Sequence, residues 1–586
     1  MDSKESGFQK RLGLFDATML VTGTMIGSGI FIVSAETARD VGSGGWLLVA
    51  WLVAGLMTVF GALCYAELSG LMPQAGGQYV FLREAFSPLW GFLYGWTCFL
   101  VIQTGSIAAV AVAFAKFLGV IVPALGADPS LPTQADVQAG RAPALPAVVG
   151  FMPDLQLPPA PNRPAILFAA THVNWQVRLP LAAEPFFEME HFVVTAGQGV
   201  AVLVILFLTL LNCRGVQEGK LVQNIMGVAK IAALIALIGV GLFVVSSPDA
   251  WNANSRDWWS GITTTQTFER TGGLLPGLLP VSAIALMVLG AALVGPLFSA
   301  DAWNNITFTA GETVDAAKTL PRALMLGTSL VIVLYLAANT GFVLGLPVQG
   351  DLAKAELSER AAHAAAERAE RAAAAGQAAE AQAARAEADR AARQAAFHRG
   401  IDQAKDDRVG TAVLELWSPR LGATLMALAI MISTFGCVNG MILMGARLYC
   451  VMAWDRLFFR GAGRLNRRGV PAVGLVLQGL WSVLLVFSGT YGQLLDYVIF
   501  AVLVFYALTV TGLFVLRRRQ PNAHRPFRVP FYPVLPAVYV LLCSAVMIDL
   551  LIVKPMYTWP GLIIVVTGVP VYFLWRLLGK GAPQGN

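Results

Sequence analysis

The feature that most constrains this sequence is the length of its apolar blocks. Apolar residues make up 56% of the 586 positions and charged residues only 13%. The apolar residues cluster in blocks of about 20, which cross a hydrocarbon core of roughly 30 Å as helices, whereas an outer-membrane barrel shows shorter alternating segments. The sequence therefore predicts an all-α integral membrane protein and excludes a soluble fold, which could not cover so much apolar surface.

We interpret about twelve such blocks as transmembrane helices. They are residues 14–32, 47–66, 89–113, 192–211, 221–245, 281–309, 323–346, 421–444, 471–487, 494–515, 534–553 and 560–578. Lysines and arginines of the short connections (Lys4, Lys10 and Arg11, then residues 447–468 and 517–528) fall on one side of this arrangement. The positive-inside rule then predicts a multi-pass protein of the cell's inner (plasma) membrane with both termini cytoplasmic.

Two hydrophilic inserts divide the chain. The first is rich in proline and alanine and predicts loop or partly ordered structure, whereas the second is rich in Ala, Glu and Arg and predicts one long exposed helix. We favour a solvated protrusion for that helix over a partner-binding coil. The predicted divisions are a cytoplasmic N-terminus 1–13, a first repeat 14–245 with external insert 120–190, a second repeat 276–515 with external insert 349–408, the last two spans 516–578 and a cytoplasmic tail 579–586.

Composition narrows the function classes further. The formal charge of +6 comes from short loops beside apolar blocks, so membrane topology explains it better than nucleic acid does. The six cysteines lie in or beside predicted spans without CxxC spacing, and no Walker loop or nucleophile elbow is present. We therefore expect no disulfide framework, no metal site, no cofactor and no enzymatic activity.

Three glycines lie within the first predicted span, in the run TGTMIGSGIF at residues 22–31. Glycine weakens a helix and allows its backbone to open. Close packing of small residues against a neighbouring helix is the alternative interpretation. On this span alone, an interrupted helix and a tightly packed one are equally favoured.

The sixth span carries a second unusual segment, LVGPLFSADAWNN at residues 293–305. Pro296 lacks an amide hydrogen and clashes with the carbonyl one turn back, so it releases carbonyls of the preceding half-helix. Asp301 would cost roughly 2.5–3.5 kcal/mol at the centre of an inserted helix, so it must face a cavity or a partner. An ordinary lipid-facing helix is excluded here.

The two interrupted spans are the first and the sixth, which is the spacing expected if spans one to five and six to ten are inverted repeats. That arrangement predicts a substrate site near the middle of the membrane. Opened amides around Ser28 and Gly29 lie at the positive end of a half-helix and suit a carboxylate. Carbonyls around Phe298 and Ser299 lie at the negative end of another and suit an ammonium. An α-amino acid presents both groups.

Five ordered motifs resemble the L-type amino-acid transporter family of the amino acid, polyamine and organocation superfamily. They are IGSGIF (26–31), YAELSGLMPQAGGQYVFLREAF (65–86), WNN with GE (303–312), STFGCVNGMILMGARLY (433–449) and HRPFRVPFYP (524–533). The resemblance covers nearly the whole chain apart from the two inserts. It implies the LeuT-like fold, a five-plus-five inverted repeat with helices 1 and 6 broken, plus two extra helices.

The same resemblance implies where substrate binds. The GSG segment of the first span would hold the carboxylate, and the sixth-span break would meet the amino group. Phe298 matches an aromatic gate that closes over substrate, with ordinary packing of the ring as the alternative. The substrate-binding residues predicted in this way are Ile26, Gly27, Ser28, Gly29, Phe298, Ser299, Ala300 and Asp301.

Lys230 lies in the fifth span, too far from either end for its ammonium to reach water easily, so it should face inward. In related sodium-independent carriers a lysine at the matching place puts its ammonium where sodium-coupled relatives bind an ion. The resemblance thus implies sodium-independent transport, with Lys230 as an ion-site surrogate beside Ser433 and Thr434. A purely structural lysine is the alternative, and a desolvated ammonium would also make proton coupling possible.

The chain departs from the family pattern in the sixth-span break, where Asp301 and Ala302 replace small glycine-like residues. We favour Asp301 as a cap of the second half-helix through its backbone amides. The alternative is an inward carboxylate that binds a cationic substrate or takes up a proton. A large neutral substrate is therefore preferred, and a basic one stays open.

The function predicted is secondary active transport of amino acids by exchange or proton coupling, with alternating access. A cationic amino acid or polyamine transporter is the alternative, and a channel or membrane sensor is less favoured because two broken half-helices lie within one chain. Animal members of the family attach to a glycoprotein through a cysteine between spans three and four, but residues 120–190 contain none. We expect an amino-acid substrate and the lipid bilayer as partners, with no nucleic acid and no disulfide-linked heavy subunit.

Overall fold

The protein is a helical membrane bundle. The computed structural model describes residues 8–127, 149–151, 165–177, 187–274, 279–487 and 491–580. Within these residues ten helices are long and apolar enough to cross a membrane, and one bent pair makes an eleventh candidate span. A shorter apolar helix stands where the sequence predicts the ninth span. The prediction of an all-α integral membrane protein is confirmed.

The spans are numbered here in the predicted order. The first six are Leu14–Met25 with Gly29–Val41, then Gly44–Leu71, Pro88–Ile121, Ala196–Arg214, Val216–Val244 and Val281–Glu312. The remaining helices of this series are Ala316–Gly345, Gly422–Trp454, Ala472–Val486, Tyr491–Arg519, Val534–Val553 and Pro555–Lys580. Shorter helices and 3-10 turns connect them at Gln78–Ala85, Pro123–Leu125, Pro248–Ser255, Gly261–Thr264, Gln266–Leu274, Lys405–Asp407, Val409–Trp417 and Arg460–Gly463.

The first span lies inside the bundle. Its first half, Leu14–Met25, packs against the fifth, seventh and eighth spans, and its last seven residues are all buried. A membrane helix can be interrupted only where protein rather than lipid surrounds the freed backbone groups. The position of this span therefore meets the condition for an open backbone at its centre.

The first span is interrupted after Met25, and its two halves are bent by 40°. Ile26 leaves the helix with an extended backbone (φ −76°, ψ 93°), and the second half begins at Gly29. A Cβ atom on Gly29 would overlap the side chain of Ser299, which belongs to the sixth span. Glycine is required at this position because the backbone of the first span packs directly against the side chain of Ser299 in the sixth span.

The sixth span is also interrupted, so the prediction that both helices 1 and 6 are broken is confirmed. Its helical hydrogen bonds continue past Pro296, whose carbonyl accepts from the amide of Ala300 at 3.0 Å. The chain then unwinds, with Ala302 in the left-handed region (φ 66°), and resumes as the 3-10 helix Trp303–Glu312. The unwound residues therefore lie about one turn beyond the proline that the sequence singles out. An alanine holds a conformation that glycine adopts more easily.

The second insert differs from the single long helix that its composition predicts. It forms two helices, Leu352–Ala374 and Ala378–Arg399, which pack against each other as a hairpin. The chain reverses at Gly376, whose φ of 74° ends the first helix. Across the hairpin Arg368 and Glu387 form an ion pair of 2.8 Å. Folding back buries alanine faces that a single exposed helix would leave in water.

The first insert contains more regular structure than its proline and alanine content predicts. Three strands, β1 (Val149–Phe151), β2 (Ile166–Val177) and β3 (Phe187–Thr195), form an antiparallel sheet in the order β1-β2-β3. β-Branched and aromatic residues recur in the two longer strands, as strands favour. The remaining predicted loop, residues 128–148, 152–164 and 178–186, lies outside the described residues.

Candidate functional site

The first-span break presents amide groups at a helix start. The half-helix Gly29–Val41 begins inside the bundle, and the first amides of any helix have no carbonyl partner within that helix. Ile26, Gly27 and Ser28 precede it and are buried. A Cβ atom on Gly27 would lie 3.5 Å from the sulfur of Cys437, which is ordinary contact. The predicted carboxylate residues therefore share one buried, amide-rich turn with room beside Gly27.

The sixth-span break presents carbonyl groups, but internal donors already engage them. The carbonyl of Phe298 accepts from the amide of Asp301 at 3.1 Å. The hydroxyl of Tyr335 lies 3.0 Å from the carbonyl of Ser299 and 2.9 Å from that of Met25. Tyr335, a seventh-span residue that the sequence motifs miss, thus joins the two breaks. An incoming ammonium would have to displace this hydroxyl or share its acceptors.

Lys230 is fully enclosed in the fifth span, with 1% of its surface exposed. Its ammonium donates to the carbonyls of Gly23 at 2.7 Å and Ile26 at 2.9 Å, both in the first span. A third hydrogen bond of 2.8 Å goes to the carbonyl of Ser433 in the eighth span. An ammonium has three hydrogens, so this site uses all of them.

The two eighth-span residues predicted beside Lys230 behave differently. The hydroxyl of Ser433 lies 2.9 Å from the carbonyls of Ile26 and Gly27 and so holds the first-span break against the eighth span. The hydroxyl of Thr434 instead donates to the carbonyl of Ile430 within its own helix at 2.8 Å. The backbone carbonyl of Ser433 therefore contacts the ammonium of Lys230, whereas the side chain of Thr434 forms its hydrogen bond within its own helix.

Asp301 has a different partner from the one favoured at the level of sequence. The 3-10 helix that follows has no side-chain cap, and its N-cap residue is Ala302. One carboxylate oxygen of Asp301 lies 2.6 Å from the hydroxyl of Tyr506 in the tenth span. The amide of Ala302 is its second partner. The carboxylate is therefore held by a neighbouring span and by the amide of the next residue, and not by the amides of the helix Trp303–Glu312 that it was expected to cap.

Two small cavities lie on either side of the Asp301–Tyr506 pair. The first has several polar lining side chains, including Gln103, Asn304 and Asn305, and the second is mainly apolar and includes Trp303. Neither cavity is lined by residues 26–29, because Gly29 packs directly on Ser299. In this conformation the amide end and the carbonyl end of the predicted site are in contact. Substrate entry therefore requires the two half-helices to separate.

Amides from outside the two breaks fix the second half of the sixth span. Asn304 donates to the side-chain oxygen of Gln78 at 2.9 Å, and Asn305 donates to that of Gln103 at 3.2 Å. Gln103 in turn donates to the carbonyl of Met441 in the eighth span at 2.8 Å. Sequence motifs include Gln78 but give no signal for Gln103, because it lies in an apolar span without a motif.

A buried ion pair closes the end of the bundle beyond these cavities. Arg447 of the eighth span and Glu312 of the sixth are each 1% exposed and form two hydrogen bonds of 3.0 and 3.1 Å. The carbonyl of Glu312 also accepts from the amides of Arg11 and Leu12 at the start of the first span. The pair thus ties the sixth and eighth spans to the start of the first span.

We expect Glu312→Gln to destabilise the folded protein by about 3–5 kcal/mol, because Arg447 would keep a buried charge without its counter-ion. Thermal unfolding in detergent, followed by tryptophan fluorescence, measures the change. The matched control is Lys318→Ala, which removes an exposed pair with Asp315 and should leave the midpoint within error. A Glu312→Gln protein as stable as the wild type would contradict this role.

Comparison with known proteins places this architecture in a family. The chain matches the amino acid permease family over residues 12–377 and 400–573. The gap in that match coincides with the second hairpin helix, Ala378–Arg399. The matched residues include the first and sixth spans, which carry the two breaks, and the fifth span, which carries Lys230.

Individual relatives are distant but align over almost the whole chain. The sequence is 25% identical to the large neutral amino acids transporter small subunit 2 of Mus musculus, over 97% of this chain and 81% of that protein. It is 25% identical to the Asc-type amino acid transporter 1 of Homo sapiens, over 98% and 84%. It is 24% identical to the b(0,+)-type amino acid transporter 1 of Mus musculus, over 98% and 89%. The chain therefore belongs to the amino acid permease family, whose members are membrane transporters and not enzymes.

Proposed function

We propose that this chain transports neutral amino acids without sodium, by alternating access, in exchange for another amino acid or together with a proton. The observation that carries the proposal is the ammonium of Lys230, which lies within 2.9 Å of three carbonyls from the first and eighth spans. Carbonyls grouped in this way would otherwise coordinate a cation, as unwound helices do in transporters. A resident lysine leaves no such place for sodium.

The proposed substrate site lies between the two breaks. The amide turn at Ile26, Gly27, Ser28 and Gly29 would bind the carboxylate through backbone hydrogens at a positive helix end. The carbonyls of Phe298, Ser299 and Ala300 would bind the ammonium once Tyr335 yields its acceptors. In this arrangement backbone groups recognise the part that all α-amino acids share, so side-chain selection must come from the residues around it.

A neutral side chain is favoured because Asp301, the carboxylate among the described residues that line the two cavities, is already engaged. One oxygen of Asp301 lies 2.6 Å from the hydroxyl of Tyr506 and would have to leave that hydroxyl to bind a basic substrate. The names of the relatives include a transporter of large neutral amino acids. The second candidate, a cationic amino acid or polyamine, is kept because Asp301 lines both cavities.

We further propose that both termini are cytoplasmic in the cell's inner (plasma) membrane and that no heavy subunit is linked by a disulfide. Three positive residues, Arg11, Lys220 and Arg447, lie at the end of the bundle where the chain begins, and the ammonium of Lys220 donates to the carbonyl of Arg11. Arg447 lies there beside Glu312, whose carbonyl accepts from the amide of Arg11. A cluster of positive side chains at one end supports a cytoplasmic assignment of that end.

Uptake of labelled amino acids into proteoliposomes tests the proposed function. We expect saturable uptake of large neutral amino acids that is unchanged when sodium is replaced by choline. Uptake of lysine or a polyamine in preference to leucine would support the second candidate and contradict the first. A current that does not saturate with substrate would indicate a channel. Flux that disappears without internal amino acid would establish exchange, whereas flux driven by a pH gradient would establish proton coupling.

A further inference from the structure

A chain of polar side chains crosses from the tenth span to Asp301. The hydroxyl of Thr509 donates to the carbonyl of Phe505 at 2.7 Å, so its oxygen is left to accept from the side-chain amide of Gln78 at 3.0 Å. The oxygen of Gln78 then accepts from the side-chain nitrogen of Asn304 at 2.9 Å. This orientation leaves the side-chain oxygen of Asn304 facing Tyr506 at 3.1 Å.

If Asp301 is ionised, this chain of side chains contains one hydrogen too few to satisfy all of its oxygen–oxygen contacts. The hydroxyl of Tyr506 lies 3.1 Å from the oxygen of Asn304 and 2.6 Å from an oxygen of Asp301. A tyrosine supplies one hydrogen, an amide oxygen supplies none and an ionised carboxylate supplies none. One of the two oxygen–oxygen contacts is therefore unsatisfied if Asp301 is ionised. A proton on Asp301 completes both, since it donates to Tyr506, and Tyr506 donates to Asn304.

The electrostatic surroundings of Asp301 also favour a neutral carboxyl. Among the described residues that line the two cavities, no other side chain is charged and none is a cation. An ionised Asp301 would keep the amide of Ala302 as a donor, but it would lose its hydration without gaining a counter-ion, which disfavours the ionised form. The titratable groups that face it are Tyr65 of the second span, Tyr94 and Cys98 of the third, Tyr506 of the tenth and Tyr539 of the eleventh.

We propose that Asp301 is a proton-binding site, which carries a proton in this closed conformation and exchanges it with water when the transport pathway opens. This inference rests on the proposed function and selects proton-coupled transport, and not exchange, as the coupling mode. On opening to one side, the O–H bond of the carboxyl breaks and the proton passes to water. On opening to the other side, the carboxylate takes a proton from water, so each cycle moves one proton with the substrate.

Open space lies beside Asp301 within the bundle. Asp301 keeps part of its surface accessible, and that surface faces the two small cavities that it lines. The partner atoms come from different spans, with Tyr506 and Thr509 on the tenth and Asn304 on the sixth. A relative movement of these two spans therefore breaks the hydrogen-bond chain that stabilises the protonated carboxyl. Proton release is in this way coupled to the conformational change.

The main test measures proton movement per amino acid in sodium-free proteoliposomes with a pH-sensitive dye inside. We expect wild-type uptake of a neutral amino acid to be accompanied by protons and this ratio to be lost in Asp301→Asn. The matched control is Asp549→Asn in the eleventh span, a buried carboxylate with no hydrogen-bond partner among the described residues, which should keep the ratio. Saturable uptake without protons in the wild type, or a ratio unchanged in Asp301→Asn, would overturn the proposal. Absence of any saturable uptake would instead contradict the proposed function.

A second measurement keeps the proposal testable if Asp301→Asn does not transport. Infrared difference spectra, recorded on adding substrate to purified protein, report the C=O stretch of a protonated carboxyl. We expect this band in the wild type and in Asp549→Asn, and its loss in Asp301→Asn. Tyr506→Phe keeps the carboxyl but removes its acceptor, so the band should shift in frequency. Reversed side-chain amides at Gln78 and Asn304 would satisfy an ionised Asp301 and predict no band, which would overturn the proposal.

Discussion

We expect the replacement of Gly27 by valine to abolish amino-acid binding while the protein still folds and inserts. A Cβ atom at this position meets only the sulfur of Cys437 at an ordinary 3.5 Å, and the backbone of Gly27 is not in the left-handed region. The first side-chain atom is therefore tolerated at this position, whereas the two methyl groups of valine would cover the amides that a carboxylate approaches. Two charge-assisted hydrogen bonds of about 1.5–3 kcal/mol each are lost, so affinity should fall by roughly 100-fold or more.

Scintillation proximity binding on purified protein measures this loss, with thermal unfolding as the check on folding. Gly239→Val in the fifth span is the matched control, since a Cβ there meets nothing within 4 Å. Gly29→Val should also abolish binding, but it separates the two breaks as well because its Cβ overlaps Ser299. Unchanged affinity in Gly27→Val would remove the first-span turn as the carboxylate site.

The second large effect is expected for Lys230→Ala. This change removes the ammonium that donates to the carbonyls of Gly23, Ile26 and Ser433, at about 1–3 kcal/mol for each buried group left unsatisfied. The carbonyl of Ile26 keeps the hydroxyl of Ser433 at 2.9 Å. The protein should still insert, because the fifth span becomes more apolar. Turnover should fall about 10- to 100-fold, since the ammonium joins the first-span break to the eighth span.

Initial rates of exchange in proteoliposomes, with and without sodium, measure this effect. Lys220→Ala is the matched control on the same helix, because Lys220 pairs with Asp16 near the end of the span and remains partly exposed. Restored activity in sodium would show that the ion takes the place of the ammonium. Full activity that is neither slower nor sodium-dependent would contradict the role given to Lys230.

The sequence predicts the helical class and the two interrupted spans for a local physical reason. Glycines at residues 23, 27 and 29 and Pro296 weaken a helix wherever they occur. Lys230 is recognised as inward-facing for an equally local reason, since its charge lies too deep for lipid. Such features depend on the chain itself and on the solvent around it, so they can be predicted without neighbours.

Features that depend on distant residues could not be predicted in this way. Asp301 pairs with Tyr506, which is 205 positions away, so the sequence offers only a local helix cap or an open inward carboxylate and gives no sign of this hydroxyl. Tyr335 and Gln103 lie in apolar spans, and which helix face points inward is decided by packing. The reversal at Gly376 likewise follows from the pairing of two alanine faces, which composition favours but does not specify.

The central claim is that two opened helix backbones, and not charged side chains, bind the ends of an amino acid. An electron cryomicroscopy structure in lipid nanodiscs, with a neutral amino acid bound, tests it most directly. We expect the carboxylate within hydrogen-bond distance of the amides at residues 27–29 and the ammonium at the carbonyls of residues 298–300. A substrate bound elsewhere, or first and sixth helices that run without interruption, would contradict it.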